Sequence, residues 1–563
     1  MSPRHFAASM PGELCRRWSR LYKNGNARMV LRIYIGEALM KRLLALFALV
    51  SLSTQAAFAQ ADAPTFSDTM NELMTPVSNF VSDLVFWGVP MDWLIPGSPA
   101  LPIIVVWLLG GGIFFSFYMG FPNIKGFTQS LRIVRGTYDD PKDPGEVTHF
   151  QALSAAVSGT VGLGNIAGVA IAISIGGAGA TFWMILAGLF GMTTKFVECT
   201  LGVKYREIDE NGVVSGGPMH YLSKGLEARG MPSLGKILAV VAALFCIGGA
   251  YGAGAMFQVN QSSAQFTNEI SALTGGTDSF FYGKGWLFGS VFAAMVGLVI
   301  IGGIKKITHV TEFLVPIMAF VYISAALVII LGNFTAIPDA FGQIFAGAFS
   351  AEGVQGGIIG VLIQGLRRAT FSNEAGLGSA SIAHSAAKTT EPVAEGLVAL
   401  LEPFIDTVVI CTITALVIIL TGSIDPNASG TAAGIALTSK AFATVNSWFP
   451  YLLTIAVVMF AFSTSITWFY YGQRSFLWLV GDNTTADFMF KLSYLAALLV
   501  GSAMQLGPVM DMADALLLAM GIPNLLGLFF LRKEVKSMLT SYFARVKSGE
   551  IKPYVKPEGV AAE

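Results

Sequence analysis

The residues best suited to chemistry in this sequence lie inside its apolar stretches, where polar groups are expensive. Gly159, Gly162 and Gly164 cluster with Asn165 in one such stretch. Phe371-Ser372-Asn373-Glu374-Ala375-Gly376 places amides, a hydroxyl and a carboxylate in another. Each glycine weakens a helix by roughly 1 kcal/mol relative to alanine, and irregular backbone at membrane depth is tolerated only around a cavity or inside protein. Unwound carbonyls coordinate small cations, while half-helix N-termini favour an anion. The pair therefore suits a zwitterion with an accompanying cation. Further oxygen donors fall in other apolar stretches: Gln258 and Gln261; Asp406 and Thr407 after Pro403; and Ser463, Thr464 and Ser465 followed by Thr467 and Trp468. Hard oxygens without thiolate or imidazole suit an alkali ion, not zinc or copper. Glu374 is an intramembrane carboxylate and so a functional candidate, but Arg367 and Arg368 lie close enough in sequence to make it an ion-pair partner instead.

The elements that position these residues are membrane helices. The chain has 563 residues, of which 54% are apolar and only 12% charged. A soluble domain carries about a quarter charged residues. The formal net charge is zero, so no basic field points to nucleic acid. Eleven segments have the length a bilayer requires: 100–120, 152–176, 179–203, 236–266, 286–303, 311–332, 353–383, 397–421, 448–472, 488–506 and 509–531. This predicts an all-α polytopic protein with its transmembrane domain at 100–531. Residues 1–39 read as a leader or mis-assigned start. Residues 40–59 read as a signal peptide, with Met40-Lys41-Arg42, a short apolar run and Ala57-Phe58-Ala59. Residues 60–99 read as a periplasmic or interfacial amphipathic segment, and 532–563 as a cytoplasmic tail.

Loop charge orients the spans. With the N-terminus outside, cytoplasmic loops carry Lys125, Arg132, Arg135, Lys142, Lys204, Arg206, Lys224, Arg229, Lys305, Lys306, Lys388 and Arg474; the opposite loops carry only Lys284 and Lys440. The expectation is a multi-pass protein of a bacterial inner membrane, mature N-terminus periplasmic and C-terminus cytoplasmic. Val161-Gly162-Leu163-Gly164-Asn165 in the second span is echoed by Ala375-Gly376-Leu377-Gly378-Ser379 in the seventh. Five spans apart, the two run in opposite directions, as in a five-plus-five inverted repeat preceded by one extra span. Gly230-Met231-Pro232-Ser233-Leu234-Gly235-Lys236 has phosphate-loop spacing, but Ile237 stands where Mg²⁺ needs a hydroxyl, and no nucleotide site is expected. No catalytic residue is expected: Glu374 with Asp406 is the only imaginable acid pair, and nothing supplies a nucleophile. A channel and an intramembrane enzyme are the alternatives to a carrier.

Gly159 through Ala170, Gly176 through Met184, Phe371 through Ser379, Glu402-Pro403-Phe404-Ile405-Asp406-Thr407 and Trp468 through Gly472 together resemble the signature of the alanine or glycine:cation symporter family. Ala178 stands where members usually have Gly. The resemblance implies a leucine-transporter-type fold with one extra span. It implies co-transport of Na⁺, with H⁺ as the alternative, and of a small neutral amino acid. No other cofactor is implied, and the expected assembly is a monomer. By the same resemblance one Na⁺ site uses Ser158, Val161, Ala461, Thr464 and Ser465, and a second cation site uses Thr160, Asn165, Ser372, Asp406 and Thr407. Substrate contacts are Thr160, Gly162, Gly164, Gln258, Phe371, Ser372, Asn373 and Trp468, with Glu374 of uncertain role.

Overall fold

Apolar sequence on every side of a helix has to be buried in protein or lipid, and the architecture follows from that. The structure, a computed structural model, describes residues 65–91, 93, 98–350, 357–424 and 434–554. The expected leader and signal segment lie outside the described residues. The regular structure of the described chain is helical, with short antiparallel pairings of Gly88–Val89 with Leu101–Pro102 and Glu207–Ile208 with Val214–Ser215 and one parallel bridge between Val147 and Ala387.

The helices that build the site and its surroundings are, in chain order, α1 (Phe66–Val85), α2 (Ile103–Met119), α3 (His149–Thr160), α4 (Ala167–Gly176), α5 (Ala180–Lys204) and α6 (Pro218–Glu227). Then come α7 (Pro232–Leu273), α8 (Gly285–Ile300), α9 (Gly303–Gly332), α10 (Ile337–Ala348), α11 (Gly357–Asn373) and α12 (Ala380–His384). The last are α13 (Pro392–Leu420), α14 (Gly434–Ala443), α15 (Phe449–Val480), α16 (Thr484–Ala503) and α17 (Leu506–Ser548). Among the described residues seven helices (α5, α7, α9, α13, α15, α16 and α17) are long and apolar enough to cross a bilayer, and α3 with α4 makes an eighth crossing bent by 56°. Shorter apolar helices, α2 and α8, occupy the first and fifth expected spans, and α11 with α12 occupies the seventh.

Three local features differ from the sequence expectation. First, α7 exceeds its expected 236–266 at both ends and contains a π-helical segment, Ala250–Met256. A second π segment, Phe404–Cys411, interrupts α13 just after Pro403. Last, α17 continues past residue 531 until Gly549, whose φ of +75° lets its N–H reach the carbonyls of Arg545 and Val546 and close the helix. Nothing between Leu525 and Ser548 breaks it earlier.

The amphipathic α1 is tied to the start of α17 by two of its polar residues. Ser78 Oγ donates to the Pro508 carbonyl at 2.8 Å, and the Gln505 N–H donates to Asn71 Oδ1 at 2.8 Å. Leu73, Val77, Phe80 and Leu84 are exposed. Exposed apolar residues interleaved with the exposed Asp68, Glu72, Asn79 and Asp83 suit a helix lying at a lipid–water boundary.

Candidate functional site

The first break separates α3 from α4. Helix α3 stops at Thr160, Gly162 is extended (φ −130°, ψ −152°), and one 3₁₀ turn, Leu163–Asn165, precedes α4. The freed amides find specific partners. The Gly162 N–H faces the Thr160 carbonyl at 2.9 Å and Asn165 Oδ1 at 3.0 Å, and the Leu163 N–H donates to Gln258 Oε1 at 3.0 Å. Gln258 in turn donates to the Ala253 carbonyl, at 3.0 Å, in the π segment of α7. Gly162 is needed for close approach: a Cβ there would sit 2.5 Å from Thr464 Oγ1.

Helix α15 faces this break with its run of hydroxyls. Thr464 Oγ1 donates to the Ser158 carbonyl at 2.9 Å, and Ser158 Oγ donates to the Ser463 carbonyl at 2.8 Å. Ser465 turns elsewhere, donating to the Gly254 carbonyl at 2.9 Å. The Thr160 hydroxyl bonds back to Ala156 and Val157 of its own helix. Val161 and Ala461 are buried.

The second break lies between α11 and α12. Asn373 ends α11, and its Oδ1 accepts the Ala375 N–H at 2.9 Å in a side-chain turn. Glu374 (φ +56°), Gly376 (φ +91°) and Gly378 (φ +84°) then take the left-handed conformation. Glu374 is one of only two non-glycine residues with positive φ among the described residues, a geometry that costs roughly 1–3 kcal/mol and concentrates at functional sites.

The two breaks meet at Asp406. Asn165 Nδ2 donates to its carboxylate, and also to its carbonyl at 3.2 Å. Ser372 Oγ and Thr407 Oγ1 donate to Asp406 Oδ2 at 2.6 and 2.7 Å. Asn373 Nδ2 donates to Thr407 Oγ1 at 3.0 Å, and Cys411 Sγ lies 3.1 Å from Ser372 Oγ. Asn165, Ser372, Asp406 and Thr407 are fully buried. Four of the five residues expected at the second cation site thus share one hydrogen-bonded cluster, and Thr160 makes none of its bonds. Phe371 packs at the first break: its Cδ1 is 3.0 Å from where a Gly164 Cβ would be, and its ring stands edge-on to Phe257 at 4.9 Å.

Glu374 has no arginine partner. Trp468 Nε1 donates to its Oε1 at 2.9 Å, and Ser379 Oγ donates to its other oxygen. Arg367 and Arg368 both pair with Asp514 of α17, the former at 2.8 Å, so the ion-pair alternative for Glu374 is not what the chain forms. Trp468 itself is wedged against α7, where a Cβ on Gly254 would lie 2.2 Å from the Trp468 Cβ. Sequence reasoning missed Asp514, although an acid inside the eleventh expected span was signal enough. It also missed the buried Lys195 and Glu198, which carry the same signal inside the third expected span, and Glu395, which lies just before the eighth and carries none.

The sodium:alanine symporter family model matches residues 94–557. The chain is 40% identical over 452 residues to "Sodium/alanine symporter AgcS" of Methanococcus maripaludis, covering 80% of this chain and 96% of that one. It is 34% identical to "Probable sodium/glutamine symporter GlnT" of Bacillus subtilis (80% and 89% covered). It is 32% identical to "Amino-acid carrier protein AlsT" of the same organism (80% and 92% covered). Among solved structures, MhsT in complex with L-phenylalanine aligns with a TM-score of 0.46 at 16% identity, covering 71% of this chain and 99% of that one.

Proposed function

This chain belongs to the sodium:alanine symporter family, and on that premise we propose that it couples Na⁺ entry to uptake of a small neutral amino acid, alanine or glycine, by alternating access. It is a multi-pass membrane protein of a transporter family, not an enzyme. What carries the reading is the meeting of two chain breaks around one buried carboxylate, with Asn165, Ser372 and Thr407 all donating to Asp406. A cation entering that cluster takes the carboxylate and the hydroxyl oxygens as ligands, with Thr160 joining from the end of α3. A second Na⁺ site uses the carbonyls of Ser158, Val161 and Ala461 with the Thr464 and Ser465 hydroxyls. The present Thr464–Ser158 bond supports the pairing of α3 with α15 there. Ser465 has to leave the Gly254 carbonyl to take part.

The substrate zwitterion lies between the breaks. Its carboxylate takes the amides around Gly162 and Gly164; its ammonium takes Gln258, Ser372 and Asn373. Phe371 and Trp468 limit its side chain, and Glu374 acts by holding the Trp468 indole in place. The relatives named for alanine and for glutamine bracket the choice of substrate, and the bulk of Trp468 favours the smaller. The orientation we propose is N-terminus periplasmic and C-terminus cytoplasmic in the inner membrane, supported by loop charge. The membrane potential then contributes about 2.3 kcal/mol per charge per 100 mV. The test is uptake of labelled alanine into proteoliposomes under an imposed Na⁺ gradient. Uptake unchanged when no cation gradient exists would refute the coupling.

A further inference from the structure

A second group of titratable side chains lies away from the Asp406 cluster. Lys195 Nζ of α5 is 3.1 Å from Glu402 Oε1 of α13. Glu402 Oε2 is 3.6 Å from His384 Nε2 of α12, and His384 Nδ1 is 2.5 Å from Glu395 Oε1. The other Glu395 oxygen meets His149 Nδ1 at the start of α3, and His149 Nε2 lies 3.9 Å from Asp139. Every member is buried except Asp139, whose side chain is 32% exposed. The ladder joins four helices and ends at a solvent-touching acid in the loop before α3. It is also tied to the second break: Asn524 Nδ2 donates to Glu198 Oε1, one turn beyond Lys195, at 2.7 Å and to the Gly376 carbonyl at 2.8 Å.

The geometry specifies a ligand. Each imidazole is hydrogen-bonded to Glu395 through Nδ1 and has a second carboxylate beyond Nε2, Asp139 at 3.9 Å for His149 and Glu402 at 3.6 Å for His384. A neutral imidazole donates from one nitrogen only; the cation donates from both. Four buried acids (Glu198, Glu374, Glu395 and Glu402) surround one lysine, and protonating the two imidazoles brings the set closer to neutrality. The buried His384 Nε2, Glu402 Oε2 and Glu198 Oε2 make no hydrogen bond. The groups facing the ladder from other sides are Glu374 from the second break, Cys199 of α5, Tyr471 of α15, and Arg206 and Asp143 near the Asp139 end. Burial raises the Asp139 carboxyl above its ordinary range, which suits a group that hands protons between water and an imidazole.

We propose that this ladder is a proton-binding site, filled from the cytoplasmic side through Asp139 when that half of the carrier closes and emptied there when it opens. On closing, a proton passes from cytoplasmic water to an imidazole nitrogen. On opening, α3 draws His149 away from Glu395, the imidazole is hydrated, and the proton returns to the water it came from. Acid on that side therefore holds the closed state and slows release of substrate. The site goes beyond the Na⁺ coupling proposed above, although its transport assay rests on that reading.

Two measurements on the full chain test it. In right-side-out vesicles under a fixed inward Na⁺ gradient, lowering internal pH from about 8 to about 6 slows initial alanine uptake about threefold or more. His149→Gln and Glu395→Gln flatten that dependence. A wild-type rate indifferent to internal pH, or variants that keep the wild-type profile, overturns the proposal. Uptake absent at every pH fails the symport reading instead. In that case, or if the variants do not fold, ¹⁵N-histidine NMR of the detergent-solubilised wild type decides. With the remaining histidines assigned by single substitution at His220 and His309, and at His5 where the leader is retained, the His149 and His384 rings give imidazolium shifts at neutral pH. Neutral tautomers at both overturn the site without reference to transport.

Discussion

Thr464→Val is the substitution that separates a cation ligand from a packing residue. Valine keeps the volume and branching of threonine, so no cavity opens and only the hydroxyl is lost. That hydroxyl donates to the Ser158 carbonyl at 2.9 Å. Ser158 lies in the last turn of α3, where carbonyls have no amide of their own helix, and the Gly162 N–H is committed to Thr160 and Asn165. Loss of a hydrogen bond that leaves a buried acceptor bare costs about 1–3 kcal/mol. In the Na⁺-loaded state the same hydroxyl faces the ion, a charge-assisted contact roughly twice as strong as a neutral hydrogen bond, so the loaded state loses about 1–2 kcal/mol more than the free one. The Na⁺ concentration for half-maximal alanine uptake should then rise on the order of 5- to 30-fold. The rate at saturating Na⁺ should change little, and Thr464→Ser should keep wild-type behaviour. The assay is initial uptake into proteoliposomes across a Na⁺ series, with Ser463→Ala as control, since Ser463 Oγ bonds back to its own helix at Phe460. A valine variant with the wild-type Na⁺ dependence would remove Thr464 from the cation site.

Gly254→Ala should lower the melting temperature in detergent by an amount equivalent to about 1–3 kcal/mol, because its Cβ would overlap that of Trp468; an unchanged melt would mean α7 and α15 slide apart at little cost. Asp514→Asn leaves Arg367 and Arg368 without their shared counter-charge and should destabilise by about 3–5 kcal/mol, measured by thermal unfolding, whereas an equal or higher melting temperature would contradict that pairing. His220, in α6 outside the spans, is held down to about 4 chiefly by burial. The unfolded ring titrates near 6.5, so between those values the unfolded chain binds the extra proton. Stability conferred by the neutral ring is complete above about 6.5 and lost as pH falls toward 4, on the order of 3 kcal/mol in all. The melting temperature of His220→Gln should depend less on pH than wild type across that window; identical slopes would count against it.

Much of this was legible in the sequence because membrane burial is a local constraint. A helix that must satisfy its own backbone shows as an apolar run, and a helix that does not shows as clustered glycine with amide side chains. Gly162, Gly164 and Asn165, and Phe371 through Gly378, fall at the two breaks for that reason. What stayed hidden depends on which distant helices touch. Ser465 sits beside Thr464, yet a turn of about 100° per residue sends its hydroxyl to α7 instead of α3. Arg368 and Asp514 are far apart in the chain, and their pairing exists only after α11 and α17 have packed, as the ladder from Lys195 to His149 exists only after α3, α5, α12 and α13 have. The π segments were hidden for a different reason: they alter helical phase without altering composition.

That phase has a consequence of its own. A π turn carries one more residue than an α turn, so Ala250–Met256 behaves as a single-residue insertion absorbed within a continuous helix. Shortening the stretch by one residue would restore uniform winding and rotate everything beyond it by about 100° relative to the chain before it. Gln258 would swing away from the Leu163 amide while Gly249 still met Trp468. One residue of chain length therefore decides whether this helix presents an amide oxygen or a hydrocarbon to the broken span. Relatives that differ in length across this stretch should differ in what they carry before they differ in whether they fold.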